Sequence, residues 1–199
     1  LGYLSWLLPS LKLAPYTRWL IVGVLAALAG LSAWLAYRQR LALRDFLVAR
    51  WRLLVANEAL FWAFFAAFWL IRWGNPDLWH PVMGGEKPMD LAYLNAILRS
   101  TSFPPYDPWF AGGYLNYYYL GHALVAALIR LTGIVPTTAY NLAVPALFAM
   151  TATGAASVVY NLLPRGADEG GWFPRRLRFG LLGALLVAVV GNLGEVRLL

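Results

Sequence analysis

The chain has 199 residues, 61% of them hydrophobic and 13% charged, and it includes 10 Trp, 11 Tyr and 10 Phe. That composition excludes an ordinary soluble domain and places the chain among membrane proteins. The formal charge of +7 does not signal nucleic acid, because five arginines (Arg38, Arg40, Arg44, Arg50, Arg52) fall in one short segment and no nucleic-acid-binding motif accompanies them.

In chain order, residues 1–14 read as the tail of a helix whose beginning is missing, a partial span. There is no initiator Met and no signal peptide, and the last apolar segment reaches the final residue, so a piece of a longer membrane protein is expected. Residues 19–37 are an uncharged run between Arg18 and Arg38, long enough for about 30 Å of hydrocarbon. Residues 38–52 alternate arginine with Leu, Phe and Trp, which suits an interfacial cytoplasmic helix. A second full span is expected over 53–73, and residues 74–114 make one long polar connection. Further spans are expected over 115–132 and 137–163, joined by the tight turn Thr132-Gly133-Ile134-Val135-Pro136. A loop at 164–178 leads to a last span over 179–199. The expected fold class is an all-α membrane protein. It is a polytopic transmembrane helix bundle, one domain over 1–199, with one long external loop carrying a juxtamembrane amphipathic helix.

Sidedness follows from the arginines. With 38–52 cytoplasmic, 74–114 lies outside and Arg130 marks a cytoplasmic helix end. The same count puts 164–178 outside, although that loop carries Arg165, Arg175, Arg176 and Arg178, against the rule.

The long connection holds most of the chemistry. Four of the nine acidic residues lie in it: Asp77, Glu86, Asp90 and Asp107. After the charged stretch GGEKPMD, residues 84–90, come Leu91, Leu94 and Leu98 at helical spacing, with Asn95 and Arg99 on another flank. Pro88 near the first turn and Asp90 beside it make a helix start signal. The leucines would form the membrane face of a short helix lying on the outer surface. A carboxylate at the mouth of that helix would act as general base toward an acceptor hydroxyl or amine, and Lys87 and Arg99 would hold a phosphate. The alternative is that Glu86 and Lys87 are a solvated pair, Asp90 is only a cap, and the aromatics are an interfacial belt.

The stretch NPDLWHPVMGGEKPMDLAYLNAILRSTSFPPYDPWFAGGYLNYYYLGH resembles the bacterial and archaeal "YYY" family of uncharacterised multi-span membrane proteins, named for a triple tyrosine, here Tyr117, Tyr118 and Tyr119. That family more distantly resembles the GT-C glycosyltransferases, which take a sugar from a polyprenyl-phosphate carrier. In those enzymes an acidic pair stands shortly before a tyrosine in the first long external loop. Met89-Asp90 followed by Tyr93 falls at that place. The resemblance implies Asp90 as catalytic carboxylate and Glu86 as its assistant or the holder of a divalent cation. Lys87, Arg99, Tyr117 and His122 would hold the lipid phosphate. The implied partners are a lipid-linked sugar donor and membrane lipid, with no nucleic acid; nothing sets an oligomeric state. A transporter or flippase of lipid-linked glycans and a non-catalytic membrane subunit are the rivals.

Two further residues stand out. Glu58, inside a span, is costly there unless it pairs, and Arg52 is the expected partner. His80 has no histidine at metal-ligand spacing, so no dedicated metal site is expected.

Overall fold

The computed structural model describes residues 1–80, 85–164 and 174–192. Its elements are α1 (Gly2–Ser10), α2 (Arg18–Arg38), α3 (Arg40–Gly74), α4 (Lys87–Arg99), α5 (Leu120–Thr132), α6 (Pro136–Leu162) and α7 (Arg175–Ala188), followed by a 3-10 turn at Val190–Asn192. Among the described residues strand pairing is limited to one isolated bridge, between Tyr106 and Tyr114. Helices α2, α3 and α6 are long and apolar enough to cross a membrane.

Local chemistry sets the helix bounds. Thr17 caps α2, its hydroxyl accepting from the Leu20 N–H at 3.3 Å. The expected interfacial helix over 38–52 and the span over 53–73 are one helix, α3, of 35 residues. No Gly or Pro interrupts residues 40–73, so nothing stops the helix; it is about 52 Å long, well beyond the hydrocarbon thickness. Helix α5 starts at Leu120, later than the expected 115. Leu115 is committed elsewhere: it is buried and its N–H bonds to the Pro105 carbonyl at 2.8 Å. The 13 residues of α5 reach about 20 Å. It stops at Gly133, whose left-handed conformation (φ +78°) turns its N–H onto the Ile129 carbonyl. Helix α7 begins at Arg175, before the expected 179. Residues 81–84, 165–173 and 193–199, with Gly84, Arg165 and the end of the expected last span, lie outside the described residues.

The chain forms two compact units. The first comprises Leu1–Leu43 and Pro76–Asn141. Its core gathers Tyr16, Ile21, Leu94, Ile97, Phe103 and the α5 alanines Ala123, Ala126 and Ala127. Those alanines follow helical spacing and let neighbouring helices approach α5 closely. Helices α4 and α5 run side by side in the same direction. Asp90 meets His122 near their N-termini and Leu98 meets Arg130 near their C-termini, both pairs being 32 residues apart. This corrects the expectation that the leucines of α4 face lipid. Leu94 is 1% exposed, and Leu91 and Leu98 pack against the same core. The periodicity marks the inner face of a packed helix, because α5, Tyr16 and Phe103 cover it.

The second unit comprises Arg44–Asn75 and Leu142–Leu199. Phe64 and Phe68 of α3 meet Phe148 of α6 at ring distances of 5.7 and 4.7 Å. Gly180 of α7 passes so close to α6 that an added Cβ would lie 3.0 Å from the Ala156 carbonyl oxygen. At one end of this unit Leu53 and Asn57 of α3 share a small cavity with Tyr160 and Asn161 of α6 and Leu177 of α7. The arginine-rich start of α3 and the arginines opening α7 therefore lie at the same end, not at opposite ends as the sidedness count expected. Nor is Glu58 placed to pair with Arg52. Six residues along a helix turn it well away from that side chain.

Candidate active site

The first turn of α4 carries the site. Pro88 stands in that turn, where a missing N–H costs nothing, and the Asp90 N–H closes the first helical bond onto the Glu86 carbonyl at 2.9 Å. The Asp90 side chain does not cap its own helix. Oδ2 accepts from the Tyr140 hydroxyl at 3.0 Å, and Oδ1 lies 3.4 Å from His122 Nε2. The carboxylate is 22% exposed and the imidazole 16%. Three helices thus converge on one carboxylate, which also sits at the positive end of the α4 dipole. The second imidazole nitrogen, Nδ1, is buried without a partner among the described residues.

Aromatic rings frame the pair. Tyr93, one turn along α4, has its ring 6.1 Å from both His122 and Tyr117. Tyr117 and Tyr118 lie ring on ring at 3.9 Å, and the Tyr118 hydroxyl faces Glu86 Oε2 at 3.5 Å. The Tyr118 phenol is pushed up to about 12, first by its hydrogen bond with Tyr117, then by burial and the Glu86 carboxylate. Tyr93 is raised as well, by burial and then by Asp107, Tyr117, Asp90 and Glu86. Both phenols keep their protons at neutral pH, and Tyr118 donates its proton toward Glu86.

Four of the expected site residues, Asp90, Glu86, Tyr117 and His122, come together here. Lys87 opens the same helix turn but extends toward the Asp77 carbonyl, 3.5 Å away. Arg99 does not join them. It is nine residues beyond Asp90 on α4, about 13 Å along the axis and on the opposite side. Tyr140 was not foreseen. Its signal was a polar Tyr-Asn pair near the start of a largely apolar helix, and the adjacent Asn141 bonds the Pro76 carbonyl at 3.1 Å. Arg130, read from sequence as a marker of sidedness, is a structural clamp. Its Nη2 donates to the carbonyls of Leu98 and Ser100 at the end of α4, at 2.8 and 3.2 Å, and its guanidinium lies 4.8 Å from the Tyr16 ring.

Among the described residues no three His, Cys, Asp or Glu side chains converge in a metal shell. What the cluster offers is an oriented, partly exposed carboxylate backed by an imidazole and ringed by phenol donors, suited to accepting a proton at the unit's surface.

No curated protein and no solved structure matches the chain. The model of one family, described as uncharacterized membrane protein (DUF2298), matches residues 1–199, and the chain belongs to that family of membrane proteins.

Proposed function

We propose that the chain is the membrane domain of a glycosyltransferase of GT-C type, multi-pass in the cytoplasmic membrane, moving a sugar from a polyprenyl-phosphate carrier at the outer face. The observation that carries this reading is the Asp90 carboxylate, held between Tyr140 and His122 yet still open to solvent. In the proposed step the acceptor hydroxyl attacks the anomeric carbon and its oxygen–carbon bond forms. The bond from that carbon to the phosphate oxygen breaks, the polyprenyl phosphate leaves with the electron pair, and the acceptor proton passes to Asp90. His122 stabilises the carboxylate before transfer, and Glu86 with Tyr118 lines the approach. Lys87, beside Glu86 in the opening turn of α4, is the cation assigned to the phosphate, and Arg99 lies nine residues beyond Asp90 on the same helix. The test is transfer from a polyprenyl-phosphate sugar by the full-length protein carrying Asp90→Asn, with Glu86→Gln beside it. Undiminished transfer in both removes the acids from the reaction.

One observation favours a second reading, a non-catalytic subunit. Both Asp90 oxygens face partners from other helices, so the trio also serves as a polar tie among α4, α5 and α6. On that reading Asp90→Asn changes only stability.

A further inference from the structure

The side of α4 turned away from its core carries a second concavity. Ala92, Asn95, Ala96 and Arg99 recur at helical spacing and line an open cleft of about 590 Å³ against the loop at 100–108 and Tyr114. The two alanines leave the floor empty, and no large aliphatic side chain lines it. Donors and acceptors alternate around the walls. Arg99 is exposed and has no hydrogen bond or ion pair among the described residues. Asp107 is fixed through Oδ1, which accepts from the Trp109 and Phe110 N–H groups at 2.8 and 3.2 Å, and that leaves Oδ2 as an acceptor. The Asn95 amide nitrogen is spent on the Leu91 carbonyl at 2.9 Å, and its oxygen remains. Tyr106 and Tyr114 stack at 4.9 Å and 17° as an exposed aromatic shelf at the rim.

We infer that this cleft binds a cyclic polyol, such as a pyranose, bearing one anionic group. A guanidinium matches the anion. The fixed carboxylate and amide oxygen accept ring hydroxyls, and the tyrosine shelf covers the apolar edge of the ring. A bare phosphate fits less well, because Asp107 faces the same space. The site is separate from Asp90 and does not rest on the glycosyltransferase reading.

The test measures binding to the purified full-length protein in nanodiscs, with glucose 1-phosphate, glucose and inorganic phosphate as probes. Glucose 1-phosphate should bind saturably and about 10-fold or more tightly than either of the others. Arg99→Gln should bring it down to the glucose level, and Ala96→Leu, which fills the floor, should abolish it. Asp90→Asn should leave it unchanged. Competition from phosphatidylinositol in the nanodisc would assign the natural ligand to a lipid headgroup; none would assign it to a soluble compound. The inference is overturned by absence of saturation at millimolar concentration, by equal binding of inorganic phosphate, by unchanged binding in Arg99→Gln, or by loss in Asp90→Asn.

Discussion

The two oxygens of Asp90 have different neighbours, and substitutions separate their roles. The bond from Tyr140 is charge-assisted and partly shielded, so Tyr140→Phe should cost about 1.5 kcal/mol in thermal unfolding. Asp90→Asn keeps an oxygen for Tyr140 and nearly the same volume while removing the base. Stability should change by under about 1 kcal/mol while transfer falls about 10²-fold or more. Equal losses of stability and transfer would instead mark Asp90 as a tie alone. Tyr16 gives a pH signature. It is 1% exposed, its hydroxyl donates to the Ala123 carbonyl at 3.0 Å, and burial pushes it up to about 12 against a partial offset from Arg130. The folded state holds this proton more tightly than the unfolded state, whose tyrosine titrates near 10. Its contribution is complete below pH 10 and is lost as pH rises through about 12. Stability should therefore fall between those values more steeply in the parent than in Tyr16→Phe, and parallel curves would refute the assignment. The acids were legible in the sequence because a charge in so apolar a chain is conspicuous. Tyr140 was not, since its role depends on how the turn at Gly133 folds α6 back toward α4.

At the scale of elements, the α4–α5 pair depends on an arginine whose reach is tertiary. Helix C-termini leave carbonyls without partners, and at the end of α4 Arg130 supplies the donor. Arg130→Gln removes the charge and shortens the reach, and should cost about 3 kcal/mol, with hydrogen-exchange protection lost first in α4. One nitrogen makes both bonds, so the ammonium of Arg130→Lys can replace it. That variant loses chiefly the stacking on Tyr16, about 1 kcal/mol. Unchanged α4 protection in Arg130→Gln would refute the clamp. The sequence foretold a helix after Pro88 through its leucine spacing, but spacing shows which residues share a face and not what covers them. The α5 alanines, read only as part of an apolar run, were the missing half. In α3 the arginines suggested a boundary that the backbone does not respect, because charge changes the surroundings of a helix without breaking it.

For the whole molecule, the second unit bears on a conflict that counting helices created. Residues 53–60 of α3 lie beside residues 156–161 of α6 and the opening turn of α7, so Arg50 and Arg52 share an end with Arg175, Arg176 and Arg178. Within the first unit Arg18 donates to the Leu131 carbonyl at 3.2 Å, which brings the C-terminal end of the 13-residue α5 to the start of α2. If α2, α3 and α6 cross and α5 does not, both arginine-rich segments fall on one side, the cytoplasmic side by charge, and residues 76–135 fall on the other. The two arginine-rich segments then obey the positive-inside rule, and Arg130 is external, where it binds α4 carbonyls. The chain has no cysteine, so single substitutions report sidedness cleanly. In intact cells Gln39→Cys and Arg175→Cys should resist a membrane-impermeant maleimide until the membrane is opened, and Thr101→Cys should react at once. Thr101 is exposed and its carbonyl accepts from the Tyr16 N–H at 2.7 Å, so its label reports the first unit directly. Immediate labelling of Arg175→Cys alongside Thr101→Cys would restore the six-span count and place the α7 arginines outside. Protection of Thr101→Cys with labelling of Gln39→Cys would invert the whole chain and move the Asp90 cluster to the cytoplasmic face.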